Sequence, residues 1–436
     1  MERLHQTLDW LYSLESRGEI FKLDRMERAL ALVGNPHLRL PAIHIAGTKG
    51  KGSVAAMLDS CLRAAGYRCG LYTKPHLVNQ TERTRINGVE IEPGLMLDYI
   101  ERLRAIYDRA GMALTFFEFT VVLMFLYFAD SALDIAVIET GLGGRLDSTN
   151  VVRPMLSVIT PIGFDHVEYL GYSIASIAGE KGGIIKREIP VVVGARQPDA
   201  RTTLSSIAAQ KASPVMMIDR EFSFTSHTPD HRLDYHGLGL ELENVELGLG
   251  GAFQHENAAI AMASLEAMRA QGWRIDEPAI RSGLRHLIWP GRFDIVSRRP
   301  TVILDCAHNE LSIEALLDTI ALEFGPKVRP KLVFGCLEDK NWARMGELLA
   351  PRIRDVILTR VKPKRPLDPE RLIPCFAPIV PTRVIREPWQ AVEQVMAESG
   401  GDDLILVTGS VYLIGEIYPY FLARQGRRGL FTETTA

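Results

Sequence analysis

Short apolar and β-branched runs alternate with segments of helical periodicity along the whole chain. Strand-like runs at Ala42–Ala46 and Val191–Val193, for example, are followed by helical segments at 52–65 and 200–211. Strands that alternate with helices form parallel sheets joined by crossover helices. The chain therefore predicts an α/β fold, and its 436 residues, 47% of them hydrophobic, are enough for more than one core.

The same alternation returns in the second half of the chain. Strand-like runs occur there at 301–305, 331–335, 355–359 and 403–408. Pro and Gly interrupt the pattern at 289–292, which indicates a hinge. Between 222 and 250, short alternating stretches rich in Gly and His predict an antiparallel insertion. We expect an N-terminal domain of the P-loop type with a parallel sheet at 1–296, and a C-terminal Rossmann-like α/β domain at 297–436.

Charge and composition exclude several classes of partner. With 50 basic and 53 acidic side chains the formal net charge is −3, so no strong field draws the chain to nucleic acid or to an anionic membrane. The longest apolar run, 119–129, is shorter than the roughly 20 residues of a membrane-spanning helix. The five cysteines form no CxxC pair, which favours reduced, buried thiols. We expect a cytoplasmic monomer that binds neither nucleic acid nor membrane.

The strand-like run Ala42–Ala46 leads directly into a glycine-rich stretch, after which helical periodicity begins. Backbone N–H groups in such a turn, together with the dipole of the following helix, form a cradle for phosphate. Lys51 can reach the terminal phosphates of a nucleotide, and the Ser53 hydroxyl can contact Mg²⁺. A glycine-rich helix cap is the alternative, since the spacing is shorter than that of an ordinary Walker A loop. The candidate nucleotide-binding residues are Gly47, Thr48, Lys49, Gly50, Lys51, Gly52 and Ser53.

The glycine-rich loop is accompanied by further characteristic segments, at 139–147, 165–166, 180–181, 291–292, 305–309 and 408–410. Together they resemble the folylpolyglutamate synthase/dihydrofolate synthase family of the Mur ligase superfamily. The resemblance implies an ATP-dependent amide ligase that adds L-glutamate to dihydropteroate or to folate polyglutamates through an acyl phosphate. It further implies that the N-terminal domain binds ATP and the pterin, and that the C-terminal domain binds glutamate.

Two residues at strand ends are candidates for a metal site. Glu139 ends a strand-like run, so its carboxylate should lie at the carboxyl edge of the parallel sheet, where α/β proteins bind ligands. This position suits a hard cation. His166 follows the next run after a short loop and is expected at the same edge. By resemblance, Glu139 and His166 ligate Mg²⁺ beside the phosphates of ATP, and Ser53 completes the candidate ligand set.

Lys181 lies among small residues, an unusual setting for a solvated lysine. By resemblance, CO₂ carbamylates this lysine, and the resulting anion binds a second Mg²⁺. Carbamylation needs a neutral amine, so the site must lower the pKa of Lys181 below the ordinary value of about 10.4. A plain surface lysine is the alternative interpretation.

The resemblance assigns further residues to the nucleotide, namely Asn257, Arg292 and Asp305. His308 and Asn309 follow the strand-like run at 301–305 and suit phosphate or glutamate contacts. His308 is therefore a catalytic candidate together with Lys51 and Lys181. A loop cap explains this histidine equally well, and we do not assign it as a base.

The acceptor side is less specific. The resemblance places the pterin against Phe117, Glu118, Leu146, Asp147 and Ser148. Aromatic side chains suit a flat heterocycle and equally a hydrophobic core, so both interpretations stay open. A basic loop at 362–366 could hold a glutamate carboxylate or could be an ordinary exposed charge run.

Three positions depart from the family pattern. Lys49 stands in place of Asn, Phe253 in place of His, and Lys74 in place of a Ser that ligates the metal. Either Thr73 turns its hydroxyl inward while Lys74 faces solvent or substrate, or Lys74 itself pairs with phosphate. A Mur-type ligase for another acceptor, such as a peptidoglycan precursor, and a catalytically weakened nucleotide-binding regulator stay open as alternatives.

Overall fold

The computed structural model of the protein describes residues 2–17, 22–227, 231–362 and 366–424. Two large sheets dominate this part of the chain, and helices connect most of their strands. The architecture is α/β, which confirms the fold class predicted from the alternating pattern. Among the described residues, no helix is both long and apolar enough to cross a membrane.

The first sheet is parallel except at one edge. Its strands are β1 (Ala42–Ala46), β2 (Cys69–Tyr72), β3 (Thr84–Ile86), β4 (Val89–Glu90), β5 (Ile135–Glu139), β6 (Leu156–Ile159), β7 (Val191–Val193) and β8 (Val215–Met217). Their spatial order is β4-β3-β2-β5-β1-β6-β7-β8, with β3 antiparallel to β2 and β4 antiparallel to β3. Because β1, β2, β5 and β6 run in parallel, the loops that follow them meet at one edge of the sheet.

Helices cover both faces of this sheet, which is why β1 and β5 are buried along their whole length. The helices are α1 (Glu2–Ser13), α2 (Leu23–Ala31), α3 (Lys51–Ala64), α4 (Pro93–Arg109), α5 (Phe116–Asp130), α6 (Val167–Leu170), α7 (Ile174–Gly182), α8 (Pro198–Gln210), α9 (Ala252–Ala270) and α10 (Glu277–Arg285). Ile43 and Ile45 of β1 pack against α3 and α9. On the opposite face, Ala136 and Ile138 of β5 pack against α2 and α5.

A small antiparallel sheet lies against α9. It consists of β9 (Ser223–His227), β10 (Arg232–His236) and β11 (Glu241–Glu246) in the order β11-β10-β9. Buried Leu233, Tyr235 and Val245 join it to the same core as α9. The antiparallel insertion predicted at 222–250 is therefore present.

The last sheet is also mainly parallel. Its strands are β12 (Asp294–Arg298), β13 (Thr301–Leu304), β14 (Lys331–Phe334), β15 (Asp355–Leu358), β16 (Thr382–Val384) and β17 (Leu404–Thr408), in the order β12-β13-β17-β14-β15-β16. Its helices are α11 (Glu310–Phe324), α12 (Trp342–Leu349), α13 (Ile373–Phe376), α14 (Pro388–Ala397) and α15 (Val411–Arg424). Only β12 runs antiparallel to its neighbour among these described strands.

The sequence-based boundary at residue 296 falls inside β12. Because β12 pairs with β13 along its length, we propose that the C-terminal domain begins at Asp294 instead. We refer to the residues before this strand as the N-terminal domain.

The two domains meet near the loop after β2. Leu77 in this loop packs against the core of the C-terminal sheet. A Cβ added at Gly415 of α15 would lie 2.0 Å from the carbonyl oxygen of Leu77. Nε2 of His231, the residue before β10, lies 3.3 Å from Oε2 of Glu323 in α11. The missing side chain at Gly415 therefore permits close contact between the domains.

Gly415→Ala tests this contact. The added methyl group overlaps a backbone oxygen, and overpacking of this kind costs about 1–3 kcal/mol. We expect a lower Tm in thermal unfolding. Gly179→Ala is the matched control, because Gly179 is also helical and a Cβ there meets nothing within 4 Å. If both variants show the same Tm, the proposed domain contact is wrong.

Candidate active site

The glycine-rich loop joins β1 to α3 and is fixed against the end of β6. The N–H groups of Thr48 and Lys49 both donate to the carbonyl oxygen of Pro161, at 3.0 and 3.3 Å. Gly50 has φ of 79°, and a Cβ there would lie 2.1 Å from Oδ1 of Asn257. Since α3 begins at Lys51, its first N–H groups lie beside the loop, as a phosphate cradle requires.

Two lysine side chains meet at this loop. Nζ of Lys51 lies 3.0 Å from the carbonyl oxygen of Gly47, and Nζ of Lys181 lies 2.8 Å from the same oxygen. Burial, reinforced by repulsion from Lys51, lowers the pKa of Lys181 to about 7. Lys181 is therefore a buried amine with a large neutral fraction near neutral pH, not a plain surface lysine.

Glu139 lies at the carboxyl end of β5, at the start of α3. Its Oε2 accepts a hydrogen bond of 3.1 Å from the backbone N–H of Lys74, and a Cβ at Gly52 would lie 3.4 Å from the same oxygen. Burial raises the pKa of this carboxyl group, while the charges of Lys51, Lys74 and Arg292 oppose the shift. One carboxylate is thus surrounded by several cations.

The donor set at this edge fits a divalent cation such as Mg²⁺. It offers the Ser53 hydroxyl, the Glu139 carboxylate and the His166 imidazole, and partial desolvation lowers the pKa of His166, which favours the neutral ring that a metal needs. Within the described ranges, no cluster of three or more His, Cys, Asp or Glu could hold a metal. Mg²⁺ commonly binds through one or two carboxylates, waters and substrate phosphates, so a sparse protein donor set is sufficient.

The hinge and the C-terminal domain contribute further groups to the site. The charge of Arg292 acts on both Glu139 and Asp305. Asp305 is buried, and its two oxygens accept hydrogen bonds of 2.8 Å from the N–H groups of Phe293 and Ala307. Its carboxylate therefore fixes the backbone around Arg292. Residues of both domains line one cavity, with Lys74, Glu139 and Arg292 before the domain boundary and Cys306 and Val411 after it.

His308 is half-buried at the start of the loop that leads to α11. Its Nδ1 lies 2.8 Å from the carbonyl oxygen of Cys306, so Nδ1 carries the proton and Nε2 is the remaining acceptor. Burial lowers the pKa of His308, and the nearby cations Lys340 and Arg292 act in the same direction. Both the capping role and the ligand role left open by the sequence are compatible with this geometry.

The two adjacent phenylalanines at the start of α5 have different surroundings. Phe116 is buried, stacked on Tyr12 with centroids 5.7 Å apart, and covered by the Arg83 guanidinium at 5.1 Å. Phe117 is half-buried, and the Lys74 ammonium lies 5.1 Å from its ring centroid. A Cβ at Gly141 would fall 2.3 Å from the Phe117 ring. Phe116 therefore belongs to the core, whereas Phe117 borders the candidate site.

The two carboxylates predicted to bind the acceptor already have protein partners. Oε2 of Glu118 accepts from the N–H of Thr115 at 2.8 Å and pairs with Arg25 at 2.8 Å. Asp147 accepts from the N–H groups of Leu142 and Thr149 at 2.7 and 3.0 Å. Both carboxylates support the loops that surround Phe117.

Two further acceptor candidates lie beside Asp147, with Leu146 half-buried and Ser148 buried. Substrate binding by Leu146, Asp147, Ser148 and Glu118 stays a prediction.

The basic loop at 362–366 is described only at its ends. Lys362 donates to Glu387 at 2.9 Å, an ordinary surface ion pair. Residues 363–365 lie outside the described residues.

The three departures from the family pattern have distinct settings. Lys49 is half-buried, and burial lowers its pKa to about 8 against the opposing charges of Glu314 and Asp165. Phe253 packs against the core of the C-terminal sheet. Thr73 is buried and lines the cavity with Lys74. None of these settings removes the Glu139 carboxylate from the cavity.

Lys340 is a functional candidate that was not predicted from the sequence. It follows β14, and its charge acts on both His166 and His308. Its position could have indicated a role, because Lys340 lies in the loop that follows a strand-like run. Such loops form the ligand-binding edge of a parallel sheet.

Comparisons with known proteins agree with this geometry. Residues 45–265 match the family described as Mur ligase middle domain, and residues 291–411 match the Mur ligase glutamate ligase domain. The dihydrofolate synthase/folylpolyglutamate synthase of Bacillus subtilis is 32% identical over 417 residues, which cover 94% of this chain and 96% of the relative.

Solved structures are similar over nearly the whole chain. E. coli FolC in complex with DHPP and ADP has a TM-score of 0.87 and 32% identity, covering 96% of this chain and 98% of that one. A bifunctional folylpolyglutamate synthase/dihydrofolate synthase with Mn, AMPPNP and L-glutamate bound has a TM-score of 0.84 and 28% identity, covering 96% and 98%.

The fold and the site thus define a Mur ligase with both the nucleotide-binding and the glutamate ligase domain. Within that class, the chain belongs to the dihydrofolate synthase/folylpolyglutamate synthase family.

Glu118→Gln separates a structural role of this residue from substrate binding. The change leaves the Arg25 guanidinium without a charged partner, and breaking a buried pair costs about 3–5 kcal/mol. The side chain of Arg25 is 20% exposed, so we expect the lower end of this range in denaturant unfolding.

Glu101→Gln is the control, because Glu101 pairs with Arg3 at the surface, and exposed pairs contribute about 0–1 kcal/mol. Equal stability of the two variants, together with a raised KM for the acceptor in Glu118→Gln, would assign Glu118 to the substrate instead.

Proposed function

We propose that this ligase forms an amide between the carboxylate of a pteroate or folate compound and the amine of L-glutamate, driven by ATP. The observation that carries the proposal is the meeting of Lys51 and Lys181 at the Gly47 oxygen, beside Glu139. In the proposed complex, these cations and the Glu139 carboxylate, with a bound Mg²⁺, would surround the phosphates of the nucleotide. The family membership and the related complexes with ADP, DHPP and L-glutamate support it.

The first step activates the acceptor carboxylate. One carboxylate oxygen attacks the γ-phosphorus of ATP, a new O–P bond forms, and the bond to the ADP oxygen breaks with its electrons leaving on ADP. Lys51 and Arg292 offset the negative charge that accumulates in this transfer. Mg²⁺ held by Ser53, Glu139 and His166 would supply further charge neutralisation.

The second step joins the amine. The glutamate nitrogen attacks the acyl carbon through a tetrahedral intermediate, the amine loses a proton, and inorganic phosphate leaves. Arg292 in the hinge and Lys340 of the C-terminal domain are cations near this site that can hold phosphate oxygens or a glutamate carboxylate. Water must be kept out because it would hydrolyse the acyl phosphate, and the two domains that line the cavity provide that shield.

Lys181 is proposed to carry a carbamate. The nitrogen attacks CO₂ only as a neutral amine, and its lowered pKa supplies that form. The modification would replace two mutually repelling ammonium groups at Gly47 by a carbamate and the ammonium of Lys51, and would add an oxygen ligand for a second cation.

The monomeric state and the cytoplasmic location stay predictions.

ADP release identifies the acceptor class. We expect ADP to form only when L-glutamate and dihydropteroate or a folate are both present. Lys51→Ala should lower kcat by about 10²–10³-fold, because a charged donor at the transferred phosphate is lost, while Tm stays near that of the wild type. Activity with a peptidoglycan precursor alone would favour another Mur-type ligase. ATP binding without turnover on any acceptor would favour a regulator.

Lys181 gives a pH dependence with a defined sign. In CO₂-free, metal-free buffer its pKa of about 7 lies below that of an exposed lysine, about 10.4. Between these values the unfolded chain binds more protons, so the free energy of unfolding should rise with pH, by at most about 1.4 kcal/mol per unit. Lys181→Met should lack this increment.

The carbamate itself is measured with ¹³C-labelled CO₂. The wild type should show a carbamate signal that is absent in Lys181→Met, and short carboxylic acids should partly restore ligation in Lys181→Ala. An active wild-type enzyme without any carbamate signal would contradict the modification.

A further inference from the structure

Lys74 occupies the boundary between the aromatic side and the phosphate side of the site. It follows β2 directly and is half-buried. Its backbone N–H donates to Oε2 of Glu139 at 3.1 Å, whereas its ammonium lies 5.1 Å from the ring centroid of Phe117. Backbone and side chain of one residue therefore face two different parts of the site.

The charge of the Lys74 ammonium acts on residues near the glycine-rich loop. It influences the protonation of Glu139, His166 and Lys181, which all lie around the glycine-rich loop. Phe117, in turn, is packed against the loop after β5 at Gly141. The Lys74 ammonium thus lies within electrostatic reach of the nucleotide site while resting on an aromatic ring outside the phosphate loop.

The proposed reaction needs a cation at such a place. A flat acceptor that rests near Phe117 must direct its carboxylate toward the γ-phosphate, so two anionic groups approach each other there. Lys51 already lies over the carbonyl oxygens of the phosphate loop. Lys74 contacts Glu139 through its backbone N–H, and its ammonium offers a second cation with hydrogen-bond donors.

We propose that the Lys74 ammonium binds the reacting carboxylate of the acceptor and holds it in line with the γ-phosphate, with the Phe117 ring supporting the ammonium from below. The assignment rests on the proposed function. It makes Lys74 a determinant of acceptor binding in this chain, and it gives the side chain a role distinct from that of its backbone N–H, which orients Glu139.

A comparison of two ligands tests the carboxylate contact. Binding of pteroate and of its carboxamide is measured by calorimetry in the presence of AMPPNP and Mg²⁺. A charge-assisted hydrogen bond favours the acid in the wild type by about 10-fold or more, and Lys74→Met should bring the ratio close to one. Lys74→Arg, which keeps the charge, should restore part of it.

Lys211→Met is the matched control, because it removes an exposed lysine at the end of α8 and should keep the wild-type ratio. In turnover, Lys74→Met should raise KM for the acceptor and leave KM for ATP within about twofold, since only the acceptor carboxylate loses a partner. Both results together support the assignment.

Two outcomes overturn it. A wild-type acid-to-amide ratio in Lys74→Met removes Lys74 from the carboxylate, and weaker AMPPNP binding with that ratio intact assigns the ammonium to phosphate instead. Failure of the wild type to bind any pteroate or folate compound is a different result, because it overturns the proposed function and the assignment with it.

Discussion

The carbonyl oxygen of Gly47 lies next to two lysine side chains at once, and the rest of the candidate site is arranged around this contact. Lys51 comes from the start of α3 and Lys181 from α7, so the contact ties the phosphate loop to a distant helix. Two cations at one buried oxygen repel each other strongly because little water screens them. Proton loss, an added carbamate or a bound phosphate each relieves this repulsion. The loop is thereby biased toward anionic ligands.

The N-terminal domain alone does not complete this arrangement. Arg292 lies in the hinge, and its charge acts on Glu139 in one domain and on Asp305 in the other. Asp305 does not point at the cavity as a free acid, because both its oxygens are held by backbone N–H groups. A displacement of the C-terminal domain therefore moves Arg292 and its supporting turn together. The contact between the domains at Leu77 and Gly415 therefore forms together with the complete site.

Patterns of neighbouring residues predicted the buried strands, whose formation depends mainly on the local sequence. The bounds of β1, β5 and β7 agree with the apolar runs, since strands buried on both faces need continuous hydrophobicity. The edge strands β3 and β4 were missed because an edge pair of two or three residues carries no clear period. Phe116 is buried and Phe117 borders the site because of contacts with Tyr12, Arg83 and Lys74. These contacts lie far apart in sequence, so a local pattern could not predict them. The same holds for Glu118, whose partner Arg25 lies far away in sequence.

Lys74 presents its backbone and its side chain to different parts of the candidate site. If the ammonium faced Glu139 directly, an ion pair would form and compete with any cation. Instead the backbone N–H contacts the carboxylate, and the ammonium rests on Phe117, a contact worth about 0.5–2 kcal/mol. Serine could offer the same backbone contact, so the departure changes only the side chain, which is a hydroxyl in the family pattern and an ammonium on the Phe117 ring here. A regulator that had lost its metal would not need to keep Glu139, His166 and a buried Lys181 around the loop, which is why this geometry favours a working ligase.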